Sequence, residues 1–88
     1  MFVFMVASNV QNPELEAKIM EAYPSDNLRF SSTVWFVADA GVTAKEVCEK
    51  INVIPGGLAG VVVTKVETYF GFAPTVTWEW LKARMGIV

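Results

Sequence analysis

Runs of apolar residues and short alternating segments predict four β-strands along the chain. The first, residues 2–7, is almost continuously apolar, which is typical of a strand covered on both faces or paired on both edges. Alternation of apolar and polar positions predicts a second strand at residues 27–31 and a third at residues 33–38. A valine-rich segment, residues 60–67, predicts the fourth strand and becomes half polar toward its end.

Helix signals separate these strands. Asn12 followed by Pro13 is a helix start, because asparagine caps the first turn and proline fits the first helical position, and Pro24 ends this helix. Thr43 and Glu46 have the spacing of a capping box, in which each side chain bonds the other residue's backbone N–H. The sequence therefore predicts one helix before the second strand and another before the fourth.

The resulting order is strand, helix, strand, strand, helix, strand, which is the split βαβ or ferredoxin-like pattern. It predicts an α+β domain over residues 1–88, with a four-stranded antiparallel sheet and two helices on one face. The first and third strands should lie in the middle of the sheet. A short C-terminal helix over about residues 76–85 lies in an aromatic tail, residues 68–88.

Composition favours a partner surface over a self-sufficient monomer. The chain has 88 residues, of which 53% are hydrophobic and 18% charged. A domain of this size buries only about 60% of the surface that its unfolded chain exposes. Such an apolar excess in a small domain favours a homodimer, which is our first expectation for its assembly.

Charge and residue types limit the classes of function. Seven Lys and Arg against nine Asp and Glu give a net charge of −2, which disfavours nucleic acid as a partner. The absence of His removes the commonest general base and metal ligand, and we expect no cofactor. The first apolar run is too short to span a membrane. The single cysteine, Cys48, excludes an internal disulfide, reads as a core residue and fits a cytoplasmic protein.

Five of the twelve residues at positions 69–80 are aromatic. This number exceeds what a short tail needs in order to pack on a small sheet. Tyr, Phe and Trp are enriched at protein interfaces, so they predict a partner interface. Base stacking is less favoured because the nearby charges are of both signs. Packing of the tail on the sheet of its own chain is the other alternative. The residues are Tyr69, Phe70, Phe72, Trp78 and Trp80.

Several short motifs also resemble a known family. They are Ser8-Asn9 after the first strand, Ser32-Thr33-Val34-Trp35, Thr43-Ala44-Lys45-Glu46-Val47, Tyr69-Phe70-Gly71-Phe72 and Trp78-Glu79-Trp80-Leu81-Lys82. In these the chain resembles the small CRISPR-associated ferredoxin-fold nucleases of the adaptation complex, and more closely their degenerate stand-alone relatives. The resemblance implies a ferredoxin-like dimer and a link to phage defence or mobile elements.

The same resemblance implies where an active site would lie. Nuclease members are expected to carry an aspartate at the end of the first strand, where it binds a divalent metal across the dimer axis. Here Asn9 occupies that position, or Ser8 if the register shifts by one, and neither is an anionic ligand. The resemblance therefore favours a protein that is not an enzyme. A weak nuclease or phosphoesterase using Ser8 and Asn9 with Mg²⁺ or Mn²⁺ is the alternative.

The remaining polar candidates lie around the second and third strands. Arg29, Ser31 and Ser32 are possible phosphate contacts, although the two serines also suit a hairpin turn that satisfies its own backbone. Asp26 and Asp39 are expected at opposite ends of the strand pair, as turn formers. A third functional hypothesis, a small-ligand or nucleotide binder, would use the open face of the sheet.

Overall fold

Seven elements follow one another in the order that the hydrophobic pattern predicts. A computed structural model describes residues 1–41 and 43–85, so the end of the predicted tail, residues 86–88, lies outside the described residues. The elements are β1 (Phe2–Ser8), α1 (Pro13–Ala22), β2 (Asn27–Arg29), β3 (Val34–Asp39), α2 (Ala44–Lys50), β4 (Val61–Lys65) and α3 (Thr75–Met85).

The four strands form one antiparallel sheet in the order β2-β3-β1-β4. β1 and β3 are central, as predicted, and this order with the two intervening helices is a ferredoxin-like α+β fold. The register places Phe4 opposite Val37 and Val6 opposite Trp35. β2 and β4 are shorter than predicted and end at Arg29 and Lys65, although the Val66 N–H still donates to the Val3 carbonyl oxygen at 2.8 Å.

Both predicted helix starts are confirmed by their caps. The Asn12 side-chain oxygen accepts a hydrogen bond from the Leu15 N–H at 3.1 Å. Thr43 and Glu46 form the capping box, with the Glu46 N–H donating to Thr43 Oγ1 and the Thr43 N–H to Glu46 Oε1, each at 3.3 Å.

Helices α1 and α2 cover one face of the sheet, which we call the helix face, and the main core lies between them. Alternate residues of β1 and β3 point into this core because successive side chains on a strand point to opposite faces. Its fully buried members are Phe4, Val6, Trp35 and Val37 from the sheet, Leu15 and Ile19 from α1, and Val47 with Ile51 from α2 and its end.

Helix α3 packs on the opposite face, which we call the second face. Leu81 of α3 is 1% exposed and lies in a small core with Val3 and Ala38. The expectation of an open sheet face is therefore wrong for this end of the sheet. The C-terminal part of the chain covers this end of the second face, because α3 begins directly after Pro74 and packs Leu81 against Val3 of β1.

Asp26 and Asp39 lie at the same end of the β2–β3 pair, so the expectation of opposite ends is wrong. The Ala38 N–H donates to the Asp26 carbonyl oxygen at 2.9 Å. The reason is topological, because in an antiparallel hairpin the beginning of one strand meets the end of the other.

Asp39 is held by a polar cluster at the edge of the helix face. Its Oδ2 accepts hydrogen bonds from the Tyr23 hydroxyl at 2.8 Å and from Lys50 Nζ at 2.6 Å. Burial and the bond to Asp39 raise the pKa of Tyr23 well above its usual value. Burial alone would raise the pKa of Asp39, but bonds from Lys50, Tyr23 and the Ala40 N–H outweigh it and hold that pKa below 3.8.

The lowered pKa of Asp39 makes stability depend on pH. A carboxyl whose folded pKa is below its unfolded value of 3.8 contributes stability above that pH, and loses it as pH falls through the folded pKa. We predict that Asp39→Asn lowers the free energy of unfolding by about 1–2 kcal/mol at pH 7, with the half-exposed Lys50 contributing the smaller part. Urea unfolding of both proteins from pH 7 to pH 2 measures this difference, which should shrink below pH 3.8.

Exposed Glu21→Gln on α1 is the matched control, and it should change the unfolding midpoint little at any pH. A difference between Asp39→Asn and the unchanged protein that stays constant down to pH 2 would contradict a role for the Asp39 carboxylate.

Candidate interaction surface

The second face of the sheet is covered at one end only. The register arranges its residues in rows across the strands, and α3 lies on the row Ala38–Val3–Val66. The next two rows, which we call the uncovered rows, contain no buried residue. Of the six side chains that β1, β3 and β4 contribute to these rows, five are apolar, and Val62 is 66% exposed. They are Phe36, Met5 and Thr64 in one row, and Val34, Ala7 and Val62 in the other.

Three of the five predicted interface aromatics pack against their own chain beside these rows. The Tyr69 ring stacks on Trp78, with centroids 5.7 Å apart and an interplanar angle of 12°. Trp80 lies 6.5 Å from Phe36, and the Arg84 guanidinium lies 4.3 Å from the Trp80 ring. Tyr69, Trp78 and Trp80 are all half-buried, so part of the aromatic tail caps its own sheet.

Phe70 and Phe72 are different, because both side chains stand free. Their exposed fractions are 102% and 106%, as high as in an unfolded chain. Within this segment Tyr69 stacks on Trp78 and a side chain at Gly71 would lie 3.8 Å from the Trp78 ring, whereas the two phenylalanines face solvent.

A third phenylalanine, Phe30, joins this surface directly after β2 and was not predicted as a site residue. It is 48% exposed, and its ring meets Phe36 edge to face at 5.8 Å. The alternation in β2 and β3 carries the signal, since Phe30 and Phe36 share a face that α1 and α2 do not cover. We call Phe30, Phe70, Phe72 and the uncovered rows the aromatic surface.

Open grooves lie on both sides of Phe70. One of about 420 Å³ runs over Met5, Phe36, Thr64 and Val66 to Tyr69. Another of about 300 Å³ is lined by Tyr69, Gly71, Trp78 and Lys82, with Phe70 contributing to both. Their walls are mainly apolar, so these grooves suit apolar side chains better than charged ligands.

Two cations near the aromatic surface, Lys65 and Arg84, are engaged within the chain. Lys65 Nζ lies 4.0 Å from the Phe2 ring centroid and 3.7 Å from a Glu67 carboxylate oxygen. Arg84 pairs with Asp26 at 3.3 Å in addition to its contact with Trp80. These pairings reduce the positive charge that Lys65 and Arg84 could direct at a phosphate.

The end of β1 places Ser8 and Asn9 next to β3 and β4. Ser8 is 8% exposed, and its hydroxyl donates to the Val10 carbonyl oxygen at 2.7 Å. The Asn9 N–H donates to the Gly60 carbonyl oxygen at 2.9 Å. A hydroxyl that is already engaged and a neutral amide do not fit a divalent metal, which prefers carboxylate ligands. Within residues 1–41 and 43–85 no three Cys, Asp or Glu side chains converge on a possible metal position.

The possible phosphate contacts lie near the beginning of α1. Arg29 and Ser32 line a small cleft of about 80 Å³, but Arg29 pairs with Glu16 at 2.9 Å. The Ser31 hydroxyl accepts a hydrogen bond from the Thr33 N–H at 3.2 Å. The arrangement therefore supports the alternative of a hairpin turn that satisfies its own backbone.

Cys48 contacts the main core from α2, as expected for a core residue. Burial, together with the neighbouring Glu49 carboxylate, raises the pKa of its thiol. The thiol form dominates at neutral pH, which is unfavourable for a nucleophile.

Neither the family models nor the curated protein sequences include a match to this chain. Over the part of the chain that the structure describes, the helices are too short or too polar to cross a membrane.

The chemistry of Ser8 and Asn9 leads to a test of the nuclease alternative. We predict that single- and double-stranded RNA and DNA stay intact when incubated with the purified protein and Mg²⁺ or Mn²⁺, because the two side chains offer no negative charge to hold the metal. Electrophoresis of the substrates, with EDTA and Asn9→Ala as controls, measures this. Metal-dependent cutting that Asn9→Ala abolishes would establish the alternative instead.

Proposed function

We propose that this chain is a non-enzymatic, homodimeric interaction module with a ferredoxin-like fold, and that its aromatic surface is the dimer interface. The observation that carries the proposal is the complete exposure of Phe70 and Phe72 beside uncovered apolar rows. Large exposed apolar patches on a small protein mark binding sites, because leaving them in water costs free energy.

The area of this surface supports a second copy as the partner. Two fully exposed phenylalanines present roughly 300–500 Å² of apolar area, and two copies would therefore bury about twice that. The half-exposed Phe30 and the uncovered rows, with Val62, add to this total. The sum approaches the lower end of stable interfaces, which bury about 1,200–2,000 Å².

The wider setting of the proposal comes from the resemblance and the composition. A single cysteine suits the reducing cytoplasm. The resemblance to CRISPR-associated proteins supports a role in phage defence or in mobile elements, in which the dimer would hold a further protein partner.

A second candidate function is the binding of a small ligand on the same face. The groove of about 420 Å³ over Met5 and Phe36 has the volume of a ligand site, which is its support. Its side chains offer few convergent polar groups to orient a ligand, so the interaction module is the better-supported function.

The homodimer is tested by sedimentation of the purified protein without metal. We predict a dimer at micromolar concentration, and a monomer with an unchanged circular dichroism spectrum for Phe70→Ala/Phe72→Ala, because these side chains contact little in their own chain. They are sharper probes than Trp78 or Trp80, whose removal would also disturb α3.

Met20→Ala is the control, since Met20 is 52% exposed on α1, on the other side of the sheet. It should leave the dimer intact. An unchanged protein that sediments as a monomer, or a dimer that the double variant leaves at full strength, would refute the proposed interface.

A further inference from the structure

The aromatic surface carries both a projecting side chain and a groove next to it. Phe70 projects fully into solvent, and the groove over Met5, Phe36 and Thr64 remains open beside it. We propose that in the homodimer Phe70 of each protomer fills this groove of the partner protomer, so that the two second faces lie against each other. This inference rests on the proposed homodimer and specifies how its two copies are joined.

The groove has room for the side chain. A cavity of about 150 Å³ is enough to bind a benzene molecule. The groove measures about 420 Å³, and its floor is the uncovered row Phe36–Met5–Thr64. Met5 and Phe36 offer a flexible thioether and an aromatic ring, which both make favourable contacts with a phenyl group.

Local structure turns Phe70 away from its own chain. The neighbouring Tyr69 ring is fixed by its stack on Trp78, and Gly71 faces the same ring. The Phe70 side chain lies between these two positions in the chain and is fully exposed, so it does not share their contact with Trp78. The Phe70 side chain therefore already projects from the protomer before association. Binding of a second protomer would then lose little conformational entropy at this side chain.

Symmetry makes the pairing reciprocal. In a twofold dimer the same patch serves both copies, so a projection on one must meet a groove on the other, and the reverse. The rim of the groove carries one cation and one anion, Lys65 and Glu67, 3.7 Å apart. Two such rims have no net charge with which to repel each other.

The outer edge of β4 is the competing place for a second copy. Backbone bonds between β1 and β4 join Val66 to Val3 and Asn9 to Gly60, so the N–H and C=O groups of Val61, Val63 and Lys65 point outward. No strand of the described chain pairs with this edge. Lys65 lies on it, and a lysine on an edge strand opposes pairing with another strand.

Two variants separate the reciprocal arrangement from other dimers. Phe70→Ala removes the projecting side chain. Thr64→Trp fills the groove and leaves Phe70 in place. Thr64 is an exposed strand residue, a position that tolerates a large aromatic side chain. We expect the dimer dissociation constant to rise about thirtyfold or more for Phe70→Ala and at least about tenfold for Thr64→Trp, measured by sedimentation equilibrium.

A photo-crosslinker locates the contact directly. Benzoylphenylalanine in place of Phe70 keeps an aromatic side chain, and irradiation should join two chains through the segment around Met5 or Thr64, identified by mass spectrometry. The same crosslinker at Met20 should give no crosslinked dimer.

The outcomes distinguish the two proposals. A dimer that Thr64→Trp leaves unchanged, or whose crosslinks lie elsewhere, overturns the reciprocal arrangement and leaves the homodimer standing. A second variant tests the β4 edge: Val63→Cys in a Cys48→Ala background carries a single cysteine on this edge. A spontaneous disulfide between two such chains would place the two β4 edges together, and it would also overturn the reciprocal arrangement while leaving the homodimer standing. A monomeric unchanged protein overturns both proposals.

Discussion

Both faces of the four-stranded sheet carry apolar side chains, and such side chains are stable when another layer buries them. In the described chain, the helices cover one face and only part of the second face. Helices α1 and α2 bury the centre of the helix face, with Phe4, Val6 and Val37 at 0% exposure. On the second face, α3 seals the single row around Val3 through Leu81. Because stable domains bury their apolar layers against another layer, the remaining rows are the part of the sheet that the proposed second copy would cover.

The aromatic residues of the tail form two groups, one packed on the sheet of its own chain and one fully exposed. The small core around Leu81 is extended by three half-buried aromatic residues, Tyr69, Trp78 and Trp80. These three side chains therefore stabilise their own protomer. Phe70 and Phe72 belong to the same segment as Tyr69, but both are fully exposed and neither is part of that core. Exposed aromatic side chains of this kind are a stability liability unless a partner covers them, and the uncovered rows beside them supply the matching surface.

The order of elements and the main core were predictable because they depend on local signals. Asn12, Pro13 and the Thr43–Glu46 capping box define helix starts through bonds within four residues, and alternation defines which side of β3 holds Trp35. The face chosen by α3 was not predictable, since its mixture of Thr, Trp and Lys has no clear apolar stripe and its position depends on contacts with β1. Phe30 was missed although its aromatic neighbour Phe36 is only six residues away, because the alternation that places both on one face does not show that this face stays exposed there. Asp26 and Asp39 were misplaced although antiparallel pairing alone brings them together.

The most direct test of the account is whether the uncovered rows lose their contact with water when the protein concentration rises. Methyl NMR of the methionines offers an internal control, because Met5 lies on the floor of the groove and Met20 lies on α1, away from it. In a dilution series from millimolar to low micromolar protein, the Met5 methyl signal should shift with concentration while the Met20 signal stays fixed. A Met5 signal that is constant over the whole series, or a concentration-dependent shift confined to Met20, would contradict the claim that a second copy covers this face.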